Sequence, residues 1–354
     1  MFRRRVLGSA WSSADRAAVV GTAAFVLLLH LIGWGVLIGI VVPAGYRLGD
    51  SGAFGVGLGV TAYLLGVRHA FDADHIAAID NTTRKLVGDG KQALTTGFWF
   101  SLGHSSVVFG LSVLLAAGVT VFTDPLQDDS SSLHHSLGLF GGLVAGTFLI
   151  IIGLMNLSAL VGIVHVYRHL RLGTFDEEAL EHHLHNRGIL ARLFRRVTQR
   201  VSSPRQLYLV GLLIGLGFDT ATQVALLVLA GGTSAMALPW YAILVLPVLF
   251  AAGMTLFDTV DGIVMARTYQ WAFINPARKL FYNFTVTVLS VAVALGIGTI
   301  VLLQLAADEL DFSALTWVTQ VDLKYIGAAV FTLFLVIWLA SIPAFRRIDL
   351  RSEG

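Results

Sequence analysis

Apolar residues run through this chain in eight long blocks, near 17–42, 53–79, 93–121, 137–165, 206–230, 240–264, 283–305 and 324–343, with short polar intervals between most of them. A helix needs about 20 mostly apolar residues, at about 1.5 Å each, to cross the hydrocarbon core of a bilayer. The pattern therefore predicts an all-α integral membrane protein of eight transmembrane helices, a single transmembrane domain over 1–354 with no soluble domain before or after it. The first block is too long for a signal-peptide core. Arg3, Arg4 and Arg5 resemble a signal n-region, but no small-residue cleavage site follows, so the block reads as an uncleaved helix.

Only one connection is long, 166–205. It carries Asp176, Glu177, Glu178 and Glu181, then His182, His183 and His185, then Arg192, Arg195, Arg196 and Arg200. It reads first as a solvated cytoplasmic loop between helices four and five, with a short amphipathic helix or two; a metal-sensing or metal-delivering histidine cluster is the alternative.

Composition agrees with the pattern: 56% of residues are hydrophobic and 13% charged, against about 25% charged in soluble domains. Charge adds the orientation. All of the 24 Lys and Arg residues except Arg47, Arg68 and Lys324 fall at the termini or in the 80–92, 166–205 and 265–282 loops, which share one side if eight spans alternate. The positive-inside rule then places both termini in the cytoplasm, in the cytoplasmic membrane of the cell. The opposite loops are acidic, with Asp124, Asp128, Asp129, Asp308, Glu309 and Asp311. Basic residues placed this way are topogenic, and the net charge of +2 gives no reason to expect a nucleic-acid partner. There is no cysteine, so any metal must be held by imidazole, carboxylate, thioether or backbone oxygen.

Helices two and three echo helices five and six. Phe71-Asp72 matches Phe218-Asp219, and Phe100-x-x-Gly103-His104 matches Phe250-x-x-Gly253-Met254, with separations of 29 and 32 residues. Helices three apart cross in opposite directions, the geometry of an inverted repeat with a site near the midplane.

The spans also hold residues that a bilayer tolerates poorly. A charged side chain at the membrane centre costs about 2.5–3.5 kcal/mol on insertion scales, and such residues face a pathway or each other. Helix two has Arg68, His69, Asp72, Asp74 and His75; helix three has Ser101, His104 and Ser105; helix five has Asp219 and Gln223; helix six has Asp258 and Asp261. Arg68, Asp72 and His75 share a helical face, and Arg68 can pair with Asp72. That leaves His69, Asp74 and His75 as the freer donors, which a continuous helix would not aim at one ion. A break after Gly66 would gather them. Met254, Asp258, Asp261 and Met265 form a stripe on helix six. The methionines read as gap-filling packing, the carboxylates as functional. His30, alone among leucines, reads as a satisfied interior histidine. His104 reads either that way or as a ligand.

Imidazole with carboxylate and no thiolate suits Ni²⁺, Co²⁺ or Zn²⁺. A dication entering the cell gains about 4.6 kcal/mol per 100 mV, from about 2.3 per charge, so uptake needs no ATPase subunit, and no GxxxxGK[ST] is present.

On these residues the chain resembles the nickel/cobalt transporter family of secondary permeases over nearly its whole length. The resemblance rests on Arg68-His-Ala-Phe-Asp-Ala-Asp-His-Ile-Ala-Ala-Ile-Asp-Asn81, with HxxxxDH at His69, Asp74 and His75. It extends to Phe100-Ser-Leu-Gly-His-Ser-Ser-Val-Val108, Leu216-Gly-Phe-Asp-Thr-Ala-Thr222 and Leu249-Phe-Ala-Ala-Gly-Met-Thr-Leu-Phe-Asp-Thr-Val-Asp-Gly262. It implies high-affinity uptake of Ni²⁺ or Co²⁺ as transported substrate, no cofactor, eight helices with cytoplasmic termini, and an essential role for HxxxxDH in metal recognition. The expected metal residues are His69, Asp72, Asp74, His75, His104, Asp219, Asp258 and Asp261, supported by Arg68, Asn81, Ser105, Gln223 and Met254. Where the family pattern has Glu, this chain has Gln223, which bears on ion preference and coupling.

Two other classes compete. A membrane metalloenzyme fits poorly, because there is no HExxH and no set of histidine boxes. A passive divalent-cation channel would lack a fixed chelating site.

Overall fold

The computed structural model describes residues 12–47, 54–116, 132–171, 202–215, 238–273, 276–310 and 315–321, with 329, 332, 333 and 336. Every regular element among them is helical. They are α1 (Ser13–Val36), running through a π-helical turn (Leu37–Val41) into α2 (Val42–Ala44); α3 (Val56–His69); α4 (Ala73–Gly88); α5 (Thr96–Ala116); α6 (Ser132–Arg171); α7 (Leu207–Gly215), entered by a 3₁₀ turn (Pro204–Gln206); α8 (Trp240–Phe273); α9 (Pro276–Leu310); and α10 (Thr316–Thr319).

Among the described residues, five segments are long and apolar enough to cross a membrane: Ser13–Ala44, Thr96–Leu114, Gly142–Gly162, Trp240–Ala272 and Phe284–Glu309. These fall on the expected helices one, three, four, six and seven. Expected helix two is broken into α3 and α4, so neither piece is a full span alone. Most of expected helix five, with Asp219 and Gln223, and most of expected helix eight lie outside the described residues, as do His182, His183 and His185 of the 166–205 loop.

α8 is the hub. Of the window that makes it a span, 72% is buried, against 22% for the first helix, whose Val20, Leu27, Leu28, Leu31 and Ile32 are exposed as a lipid-facing surface requires. α3, α5, α1 and α4 all pack on α8, while α7 packs on α5 and α6 on α9. Apolar helices gain little from burial in lipid, so they associate by close packing at small residues. Gly66 of α3 lies against the Phe250 carbonyl of α8, and Gly253 of α8 against the Tyr63 carbonyl of α3, so close that a methyl at either would collide. Gly211 of α7 and Gly103 of α5 meet the Phe100 and Tyr208 carbonyls in the same way.

Helix two ended at 79 by its apolar pattern, but α4 continues to Gly88. Arg84, assigned by that pattern to a loop, is instead inside a polar network. Its guanidinium donates to Thr287 Oγ1 at 2.7 Å, Asn81 Oδ1 at 2.8 Å and Asn156 Oδ1 at 2.5 Å. These bonds tie α4 to α9 and α6, and they let the helix continue past its apolar stretch because Asn81 and Arg84 both have interior partners.

Candidate metal centre

The break between α3 and α4 builds the site. After His69 the backbone tightens, with Phe71 N–H donating to the Arg68 carbonyl and Asp72 N–H to that of His69, both at 3.0 Å. Asp72 then turns extended (φ −69°, ψ 149°), and α4 begins with Ile76 N–H donating to its carbonyl. The break thus leaves these backbone groups bonded, as irregular chain at membrane depth requires. Asp is a favoured residue at such a helix start. Here its side chain makes no capping bond, and Asp72 Oδ2 lies 2.8 Å from His69 Nδ1. Asp74, in the first turn of α4, accepts from His75 N–H at 3.0 Å.

The result is a group of three imidazoles. His69 from α3, His75 from α4 and His104 from α5 are 4%, 0% and 1% exposed, and their candidate ligand nitrogens all lie within 4.8 Å of one another. His69 Nε2 and His104 Nε2 are 3.0 Å apart. Two rings are backed by carboxylates: His69 by Asp72, and His75 by Asp258 of α8, whose oxygens lie 3.2 and 3.3 Å from Nδ1. A carboxylate on one ring nitrogen orients an imidazole and makes the other nitrogen a better metal ligand. In keeping with this, His75 Nε2 is buried with no hydrogen-bond partner among the described residues. Aromatic walls hold the rings: Phe100 stands edge-on to His75 at 4.7 Å between centroids, and Phe250 lies 5.7 Å from His69.

The other expected residues divide around this centre. Arg68 does not pair with Asp72; the contact found is with His69. Asp74 is half-buried and contacts its own helix start instead of joining the three histidines. Met254 is fully buried in an apolar cluster with Ala70, Val108 and Phe250. Ser105 is buried, its hydroxyl without a partner among the described residues, while Ser101 donates to Thr255 Oγ1 at 3.1 Å. Asp261 is buried one turn beyond Asp258. Asn81 serves the Arg84 network. His30 bonds the Val26 carbonyl and Tyr63. The pattern missed Asp80, which accepts from the Tyr269 hydroxyl and from Ser290 Oγ at 3.2 Å. Its signal was its i, i+4 spacing from Arg84, hidden by ending the helix at 79.

A bundle of apolar helices, several long enough to cross a membrane and one broken to bring three buried imidazoles together, is an arrangement of the membrane-protein class. The sequence model of the family described as high-affinity nickel-transport protein matches residues 55–343, and the chain belongs to that family. It is 54% identical over 321 residues to the nickel transporter NicT of Mycobacterium tuberculosis, covering 90% of this chain and 86% of that one. It is 43% identical to the nickel transporter NixA of Staphylococcus aureus, covering 95% and 97%. It is 36% identical to the cobalt transport protein NhlF of Rhodococcus rhodochrous, covering 95% and 94%. No solved structure matches the chain.

Proposed function

We propose that this protein takes up Ni²⁺ or Co²⁺ across the cytoplasmic membrane, with both termini in the cytoplasm, by way of the His69–His75–His104 centre. The observation that carries this is three buried imidazoles from three helices with their ligand nitrogens together. Imidazole nitrogen suits borderline first-row dications, and the apolar surroundings exclude competing water. The membrane potential or a proton gradient supplies the drive, and the potential alone favours entry of a dication by about 4.6 kcal/mol per 100 mV. The matched glycine contacts of α3 with α8 and of α7 with α5 support helices two and three against five and six as an inverted repeat.

The test is accumulation of radiolabelled Ni²⁺ by cells expressing the protein, with Co²⁺ as competitor and with the potential intact or collapsed. Uptake should be saturable and fall on collapse. His69→Ala and His75→Ala should each abolish it at unchanged membrane level; normal uptake by both would refute the assignment. Uptake that rises linearly with metal concentration would indicate a channel instead.

A further inference from the structure

Beyond the histidines, towards the C-terminal ends of α4 and α8, the interior holds a second acidic group. Asp80 lies five residues past His75, about 7.5 Å along the helix, and Asp261 one turn past Asp258. Both are buried, 1% and 6% exposed. Asp80 is held by the hydroxyls of Tyr269 and Ser290. Asp261 differs: both its carboxylate oxygens are buried with no hydrogen-bond partner among the described residues. The charges acting on it are the carboxylates of Asp258 and Asp80 and the His75 ring. A carboxylate out of water, without a donor and beside two like charges, is strongly unfavourable. Protonation would relieve the repulsion but leave an O–H with no acceptor. A cation satisfies both requirements.

We propose that Asp261, with the Asp80 carboxylate acting on it from the neighbouring helix, is a second cation station, distinct from the three histidines, that receives the divalent ion as it leaves them. This rests on the transport reading above. The station offers oxygen in place of nitrogen, which holds Ni²⁺ and Co²⁺ less firmly than imidazole does. Arg84, one turn past Asp80 on α4 and the charge set against it, opposes a bound dication. The station therefore holds the ion loosely, as a step on the way out must.

Equilibrium dialysis of the purified full-length protein against radiolabelled Ni²⁺ alone tests this. Wild type should bind two ions per chain, the second roughly 10–100-fold more weakly. Asp261→Asn should bind only the tight one, and Asp80→Asn gives the same readout independently. With Co²⁺, the visible absorption of the nitrogen-ligated site should be unchanged in Asp261→Asn, which also shows that the variant is folded. A wild type that binds a single ion, or a second ion that survives both substitutions, overturns the station. The two readings separate in His75→Ala: loss of the tight ion with the weak one kept supports both, whereas a tight ion that survives refutes the histidine centre alone.

Discussion

The contact of α3 with α8 and that of α7 with α5 use one device. In each helix an aromatic residue is followed three positions later by a glycine: Tyr63 and Gly66, Phe250 and Gly253, Tyr208 and Gly211, Phe100 and Gly103. Each glycine faces the backbone carbonyl of the partner helix's aromatic residue. The scaffold is shared, but the next residue is not: Val67, Met254, Leu212 and His104. Only α5 places an imidazole there, and α8 places a thioether in the apolar cluster at the same step. The crossings supply rigidity, and an imidazole of the proposed site rides on each: His104 beside Gly103 and His69 three residues past Gly66. That is economical, because a ligand on a tightly locked helix keeps its position.

The largest expected effect breaks the device itself. Gly66→Ala and Gly211→Ala each drive a methyl into a backbone carbonyl, which cannot rotate away as a side chain would. Overpacking of this kind costs about 3 kcal/mol or more. Thermal unfolding of the purified protein in detergent should show both variants strongly and similarly destabilised. A large loss in one crossing with none in the other would end the equivalence.

The second prediction sharpens the asymmetry. His104→Ala should lower Ni²⁺ affinity by at least about 100-fold, more than the loss of a group that merely orients a ligand. Met254→Leu conserves volume, so it should cost under about 1.5 kcal/mol of stability and leave Ni²⁺ affinity unchanged. Equilibrium dialysis and thermal unfolding measure the two quantities separately. If Met254→Leu weakened binding as His104→Ala does, the thioether would be a ligand and the two crossings chemically alike.

The supports of the centre come next. Asp258→Asn removes the carboxylate from His75, and Asp72→Asn the one from His69, so each should weaken Ni²⁺ binding by about 10–100-fold. Asp258 is fully buried and the Asp72 side chain 32% exposed, so the Asp258 variant should show the larger loss in the same dialysis. The reverse order would mean that the centre is governed from the helix break and not from α8.

Much of this was legible in the sequence, and what was not has physical causes. Apolar blocks mark where helices run, and the cost of burying His69, His75, Asp258 and Asp261 marks them as a group, because both follow from transfer energies that depend only on residue type. The break expected among these residues falls at Ala70–Asp72, whereas Gly66 lies within α3 and serves its packing on α8. The sequence did not show that Asp72 would choose His69 over Arg68, since both lie within one helical turn of it and the choice depends on the backbone bending at Ala70. Nor did hydropathy reveal Asp80 and Arg84. It treats a polar residue bonded to interior partners and one bonded to water as the same, so helix two ended nine residues early on its most polar interior turns.

The smallest expected effect is a control on the comparison. Gly110 lies on α5, seven residues past Gly103, with none of the described residues within 4 Å of a methyl placed on it. The same helix thus carries one glycine that a partner's backbone requires and one that no described neighbour requires. Glycine in a helix is less favourable than alanine by about 0.8–1.0 kcal/mol. Gly110→Ala should therefore be neutral or slightly stabilising, by up to about 1 kcal/mol, with Ni²⁺ affinity unchanged, whereas Gly103→Ala on the same helix should behave like Gly211→Ala. Thermal unfolding of the two α5 variants side by side decides whether it is glycine as such, or glycine beneath a neighbouring carbonyl, that the helix needs. If both were equally damaging, α5 would be sensitive to any added bulk and the crossings would lose their special status.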